Sequence, residues 1–267
     1  MPDSVPAEIA RALRGAAIAP FGEPLHYFTE TGSTNDVAAA LAERGAPEGT
    51  TIVASAQHAG RGRLGRQWYS PPDAGLYVSV VCRNQHATPF LTLAGGVAVA
   101  DGIRAATGLP VDLKWPNDVV VGDERGANPR RKLAGVLAEA ASDGRGLQYV
   151  VLGFGVNLRP AAYPSSIASR ATSLETELGR AVDTGFLLGA ILESLARHFE
   201  KLSRRDAGGL LARCRQLTPS AVGAPVEWET AGIRRQGVTA GIADDGALLV
   251  RTGDRTERIV AGEVLWK

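Results

Sequence analysis

The apolar positions follow two rhythms. Small and apolar residues recur at helical spacing in "AEIARALRG", "STNDVAAALAERG" and "FLTLAGGVAVADGIRAATG", and these runs stop at Gly15, Gly45 and Gly108. The second helix opens on the small hydroxyl of Ser33. Elsewhere the period shortens. "LHYFTE", "TTIVASAQ", "LYVSVVCR", "VDLKW" and "LQYVVLGFGVNL" are β-branched or near-continuous apolar runs and predict strands, with "VDLKW" halted by Pro116. "VVV" and "KLAGVLAEAAS" read as two further strands joined by the polar turn "GDERGANPRR". Residues 184–216 read as helical, with Phe186, Leu187, Ile191, Leu195 and Phe199 as the apolar positions.

Near residue 217 the texture changes to short β-type runs alternating with turns, and "DDG" between two such runs is a hairpin signal. The pattern therefore predicts an α/β chain: a mixed sheet with packed helices over residues 1–216, then a small all-β barrel over 217–267.

Composition narrows the function classes. The 267 residues are 45% hydrophobic, enough for a sizeable core. Lysine and arginine total 29 against 28 acids, so no global field attracts nucleic acid or an anionic membrane, and any electrostatic function is local. Cys82 and Cys214 form no CxxC pair or Cys/His cluster; they read as reduced structural thiols of a cytoplasmic protein. The first residues carry acids and prolines rather than a secretory signal, and no run approaches the ~18 apolar residues of a membrane span.

One stretch fits neither rhythm. "AGRGRLGRQWYS", residues 59–70, holds glycines at 60, 62 and 65 and arginines at 61, 63 and 66. Glycine permits close backbone approach, and arginine supplies forked donors for carboxylate or phosphate oxygens. The loop follows a strand, where α/β proteins place ligands, and Trp68 and Tyr69 are candidates to clamp it or stack on a flat ligand. It is not a Walker loop, because GxxxxGK[ST] is absent. By composition alone it also reads as a solvated surface loop or an RG-type RNA binder. Other fragments share that ambiguity. Lys132 in "RKLAG" is an edge gatekeeper or a phosphate-facing cation, Asn157 in "GFGVN" a turn residue or a ligand contact, and "GSTN" a helix cap or a hydroxyl pair for a ligand.

Taken in order, "STN", "GRGRLGRQW", "KWPNDV", "KLAGVLAE" and "GFGVN" resemble the catalytic core of the biotin protein ligases across roughly residues 25–200, and the C-terminal segment is similar to that family's SH3-like domain. The resemblance implies the class II aminoacyl-tRNA synthetase-like biotin/lipoate ligase fold. It implies an enzyme that uses ATP and Mg2+ to convert biotin to biotinyl-5′-AMP. The biotin then passes to a lysine of a biotin carboxyl carrier protein or domain.

Carried over by motif, Ser33, Thr34 and Gln57 would hold the ureido ring, whose N–H donors and carbonyl need both acceptors and donors. Gly60, Arg61, Gly62 and Arg63 would close over the biotin carboxylate and α-phosphate, with Trp68 a candidate for the apolar wall. Lys132 is expected to be the main electrostatic catalyst, beside Arg63 and Asp118. Asp118 is either a magnesium ligand or the acceptor of a proton from the incoming lysine, a poor nucleophile while protonated. Asn117, Gly153, Gly155 and Asn157 would serve the adenylate together with Arg61, Arg63, Trp68 and Lys132, and Gly135 the biotin pocket.

This chain departs from the family at the turn after "KWPND", which is longer than usual as "VVVGDERGANPRR" and reads as an extended hairpin or a surface loop. His58 stands where a second glutamine is common and receives no role. About 30 residues precede "STN", which leaves no room for the winged helix-turn-helix of the repressor members, so DNA binding is not expected. A homodimer is compatible with the resemblance. The rivals are a lipoate or octanoate ligase or transferase of the same fold, and a non-catalytic biotin sensor. Lipoyl substrates have no ureido group to satisfy, and pure ligand storage does not require Lys132 with Arg61 and Arg63.

Overall fold

A computed structural model describes residues 1–122, 130–144, 146–230, 232–260 and 262–266. Helix α1 (Ala7–Leu13) precedes strand β1 (Leu25–Phe28), helix α2 (Thr34–Glu43) and strands β2 (Thr51–Ala54) and β3 (Gly75–Cys82). Helix α3 (Leu91–Thr107) leads into β4 (Asp112–Lys114), β5 (Asp118–Val121), β6 (Arg131–Asp143) and β7 (Gly146–Asn157). Four helices follow: α4 (Ser165–Ala168), α5 (Leu174–Leu178), α6 (Thr184–Ser203) and α7 (Gly208–Leu217). The chain ends in β8 (Val222–Thr230), β9 (Ile233–Ile242), β10 (Leu248–Thr252), β11 (Arg255–Ile259) and β12 (Val264–Trp266).

The first seven strands form one mixed sheet in the order β1-β2-β3-β7-β6-β5-β4. Only β1 and β2 run parallel; the other neighbours are antiparallel. Helices α3 and α6 pack with one face of this sheet in the main core. On the other side α2 rests on a small cluster built from Ala38, Ala42, Ile52, Val81, Tyr149 and Val151. Alternation along the central strands serves both faces at once, so β3 is buried at every position.

The last five strands form an antiparallel sheet in the order β11-β10-β9-β8-β12, a barrel-like unit. The "DDG" turn joins β9 to β10, closed by Ala243 N–H to Ala247 O at 2.9 Å. Helix α7 ends at Leu217 and the apolar core runs without a break into Val226, Trp228, Ile242 and Leu248. The units are also tied by polar bonds: Trp115 Nε1 donates to Gly246 O at 3.0 Å and Arg215 to Ile242 O at 2.9 Å.

Two expectations change. Residues 184–216 are helical as read, in two helices. The chain breaks after Ser203, turns through Arg205 at φ 64°, and restarts where Asp206 Oδ1 accepts the Gly208 N–H. Phe186 is not on the buried face: it lies in the first turn of α6 and is 56% exposed, and the packed stripe begins at Leu187. Thr88–Thr107 is long and apolar enough to cross a membrane by length and composition, contrary to the sequence reading, yet it is mostly buried within the protein as α3 and its leading turn. Cys82 and Cys214 are free and buried, and burial pushes both thiols up, Cys214 to about 11. The tip of the long turn between β5 and β6, residues 123–129, lies outside the described residues.

Candidate functional site

The β5–β6 pairing decides which way one cation points. Asp118 pairs with Gly135 and Val119 with Ala134, but Val120 pairs with Lys132, so Leu133 is an extra residue on β6. Strict alternation would put Lys132 and Gly135 on opposite faces. The bulge brings both to the same side, as bulges re-aim side chains. Lys132 Nζ lies 2.6 Å from Asp118 Oδ1, and its ammonium sits over the Trp68 ring, 5.1 Å from the centroid. The backbone of Lys132 is itself clamped: its N–H donates to Arg170 O at 2.7 Å and its carbonyl accepts from Thr172 N–H at 3.0 Å.

The Gly/Arg stretch forms a narrow hairpin. Trp68 N–H donates to Gly60 O at 2.9 Å and Gly62 N–H to Arg66 O at 2.7 Å. Its tip turns through two left-handed residues, Leu64 and Gly65. Beyond the tip, Trp68 lays its indole on the paired glycines of β6 and β7. A Cβ on Gly155 would come 2.5 Å from Trp68 Nε1, and one on Gly135 would come 2.9 Å from the ring. That Nε1 is buried and makes no hydrogen bond.

Each arginine of the hairpin has a fixed partner. Arg61 Nη2 lies 2.8 Å from both Asp36 Oδ1 and Glu139 Oε2. Arg63 donates to Asn117 Oδ1 at 3.1 Å and across to Gly262 O of the C-terminal unit at 3.1 Å. Arg66 pairs with Glu263 at 2.5 Å. Burial lowers the Arg63 guanidinium from its ordinary value, opposed by the carboxylates of Asp118 and Glu263. Asn117 is clipped to β6, donating Nδ2–H to Val136 O at 2.9 Å.

A neutral polar chain forms another wall. Ser33 occupies the N-cap position of α2, is nearly buried, and makes no side-chain capping bond. Thr34 donates from its N–H and its hydroxyl to Gln57 Oε1, at 2.8 and 3.1 Å, and Gln57 Nε2 donates to Ser70 Oγ at 3.0 Å. Ser79, fully buried, lies 2.8 Å from Thr34 Oγ1 and 2.6 Å from Asn35 Oδ1. Asn35 Nδ2 in turn donates to Glu139.

These parts line one cavity that is partly open to solvent. Ser33, Thr34, Gln57, Arg61, Gly62, Arg63, Trp68, Asn117, Lys132, Gly135, Gly153 and Gly155 all line it. Three expected residues do not. Gly60 supports the hairpin, packed against Trp68 O and Ser70 Oγ. Asp118 stands behind Lys132. Asn157 is buried and donates its amide to Thr172 O at 2.8 Å, so it braces the Lys132 segment. Gly153, expected to serve the adenylate, lines the cavity and lies against Asn35: a Cβ there would meet Asn35 Oδ1 at 2.1 Å. The sequence reading missed Asn35, Ser79, Glu139 and Glu263.

Residues 27–157 match the biotin/lipoate A/B protein ligase family, and residues 225–265 match the biotin protein ligase C-terminal domain. A biotin–[acetyl-CoA-carboxylase] ligase of Mycobacterium tuberculosis is 36% identical over 254 residues, covering 90% of this chain and 88% of that protein. One from Paracoccus denitrificans is 33% identical over 249 residues, covering 88% and 98%. Among solved structures, a biotin protein ligase from Aquifex aeolicus in complex with biotin and ATP superposes with a TM-score of 0.76 at 27% identity, covering 91% of this chain and 98% of that one.

Proposed function

The chain belongs to the biotin protein ligases, and from that membership we infer a two-step reaction carried out in the cavity just described. It is an ATP-dependent biotin protein ligase. A carboxylate oxygen of biotin attacks the α-phosphorus of ATP and pyrophosphate leaves. A lysine amine of a carrier domain then attacks the acyl carbon of biotinyl-5′-AMP and AMP leaves. We assign this chemistry to residues 1–216 and the bracing of the hairpin to residues 217–267, in a cytoplasmic enzyme.

The observation that carries the reading is the pairing of a neutral hydroxyl–amide wall with three cations around one cavity. The wall of Ser33, Thr34 and Gln57 offers donors and acceptors to a neutral ureido ring. Lys132, Arg61 and Arg63 offset the repulsion between a carboxylate and a polyanionic nucleotide. Trp68 gives the apolar part of biotin a flat surface, and the glycines beneath it leave room for the indole. Asp118 acts through Lys132, holding its ammonium in the cavity wall.

Magnesium does not fit as a resident ion held by protein ligands. Among the described residues no three His, Cys, Asp or Glu side chains come together, and the Asp118 carboxylate is engaged by Lys132. Triphosphate oxygens, which suit magnesium, would hold the ion instead.

The test is exchange of labelled pyrophosphate into ATP by the purified chain with magnesium and no carrier. Exchange that requires biotin and is not supported by lipoate is the expected result. Exchange driven by lipoate alone would make the chain a lipoate ligase, and no exchange despite tight biotin binding would make it a sensor.

A further inference from the structure

Glu139 is the one acid in the β6 run "KLAGVLAEAA", on the side of the sheet that α2 covers. A carboxylate beside a helix and an apolar cluster is costly unless it is paired and hydrogen-bonded. Its partners are specific. A single oxygen, Oε2, accepts from Asn35 Nδ2 at 2.5 Å and from Arg61 Nη2 at 2.8 Å. Charge balance alone does not require it, because Asp36 already meets the same Arg61 nitrogen at 2.8 Å. What Glu139 adds is the link to Asn35, and through it to Ser79, Thr34 and Gln57.

Building on the ligase reading above, we propose that Glu139 and Asn35 are positioning residues that couple the ring-binding wall to the arginine hairpin. Thr34 and Gln57 would meet the neutral ring, while Arg61 meets the anionic end of the same ligand. Between them the chain Thr34–Ser79–Asn35–Glu139–Arg61 is continuous when Ser79 gives its one hydroxyl proton to Asn35 Oδ1 and accepts that of Thr34, whose N–H still holds Gln57; its inner members Thr34, Asn35 and Ser79 are buried. Asn35 cannot rotate freely, since its amide lies against the backbone at Gly153 and both of its polar atoms are engaged. A fixed Asn35 fixes Glu139, and Glu139 sets where the Arg61 guanidinium lies at the mouth of the cavity. The consequence is a specificity device: Arg61 is aligned for anion capture only while the ring-side chain is intact. Glu139 touches neither ring nor phosphate; it acts through Arg61.

The test is a double-mutant cycle read by calorimetry. The probe is a biotinyl-adenylate analogue in which an unreactive ester replaces the acyl phosphate. Four proteins are compared: the parent chain, Glu139→Gln, Arg61→Ala and the double variant. Glu139→Gln keeps the shape but turns amide hydrogens toward Asn35 or Arg61. It weakens the analogue about tenfold, and the double variant binds within about twofold of Arg61→Ala alone, the signature of two residues acting as one.

Asp36→Asn removes the other carboxylate but leaves Asn35 held, and changes affinity less than about threefold. Thermal unfolding of Glu139→Gln stays within about 4 °C of the parent, because the ion pair is partly exposed. Losses that multiply in the double variant would overturn the coupling. A lowered melting point with unchanged affinity would make Glu139 a brace for α2 and overturn it too. A loss in Asp36→Asn equal to that in Glu139→Gln would reduce the effect to neutralising Arg61. Failure of the ligase reading is separately visible, as absence of binding in the parent chain.

Discussion

The ammonium of Lys132 is held by a carboxylate 2.6 Å away and by the face of the Trp68 indole, and it borders the cavity beside Asn117 and Gly135. A cation fixed in this way needs no reorganisation when negative charge builds on a phosphate, which is the condition for electrostatic catalysis. Lys132→Ala is therefore expected to lower the rate of pyrophosphate exchange about 100- to 1,000-fold, while thermal melting moves by only a few degrees. Exchange kinetics and a melting curve on the same preparation check it. A melting loss without the rate loss would make Lys132 a partner for Asp118 and nothing more. Lys132, Thr34 and Gln57 were legible through the motifs that resemble those of the biotin protein ligases; taken alone, Lys132 also read as an edge gatekeeper and Thr34 as part of a helix cap. Asn35 and Glu139 were not. Asn35 reads as an ordinary polar residue in the first turn of a helix, and Glu139 as the solvent side of an alternating strand. Only the hydrogen bond from Asn35 on α2 to Glu139 on β6 shows that the two side chains meet.

At the scale of elements, the paired glycines of β6 and β7 matter more than either strand's apolar content. Gly135 and Gly155 stand opposite each other in register, and the Trp68 ring fills the space their missing side chains leave. Gly155→Ala would put a methyl group 2.5 Å from Trp68 Nε1 and 2.7 Å from Cε2. The sheet backbone is the stiffer partner, so the indole moves and Lys132 loses its platform. The expected cost is about 1–3 kcal/mol of overpacking, with adenylate-analogue affinity falling at least about tenfold. Gly144→Ala, where no atom lies within 4 Å of the added carbon, is the control and is expected to match the parent in both measurements.

Most elements could be read from periodicity, since helices and strands here have long and consistent patterns. What periodicity misses is a change of phase. The extra residue at Leu133 rotates Lys132 to the Gly135 face, against the two-residue alternation. The break at Arg204–Ala207 interrupts a stretch whose composition continues to look helical. Both are set by what the neighbouring strand or helix requires, not by local propensity.

The molecule as a whole closes its hairpin from a distance. Arg63 and Arg66 reach Gly262 and Glu263, nearly 200 positions away along the chain, and no local pattern could announce that meeting. It depends on the barrel-like unit being seated by the continuous core and by the Trp115 and Arg215 bonds, which present residues 262 and 263 to the hairpin. The two contacts differ in kind. Arg66 and Glu263 are both exposed enough for solvent to screen them, so Glu263→Ala should raise the KM for ATP only about two- to fivefold. That difference should fade in 1 M salt, where the screening length is about 3 Å. Arg63 is half-buried and bridges Asn117 to the Gly262 carbonyl, a bond to backbone that side-chain changes in the barrel cannot remove. Arg63→Ala therefore leaves Asn117 Oδ1 and a carbonyl without their donor. It should cost at least about tenfold in kcat/KM for ATP, with little relief from salt. Steady-state exchange at low and high ionic strength separates the two. Equal, salt-sensitive losses in both variants would mean the hairpin is attracted to the barrel by charge alone, whereas the unequal pattern means the barrel seats Arg63 over the cavity through its backbone.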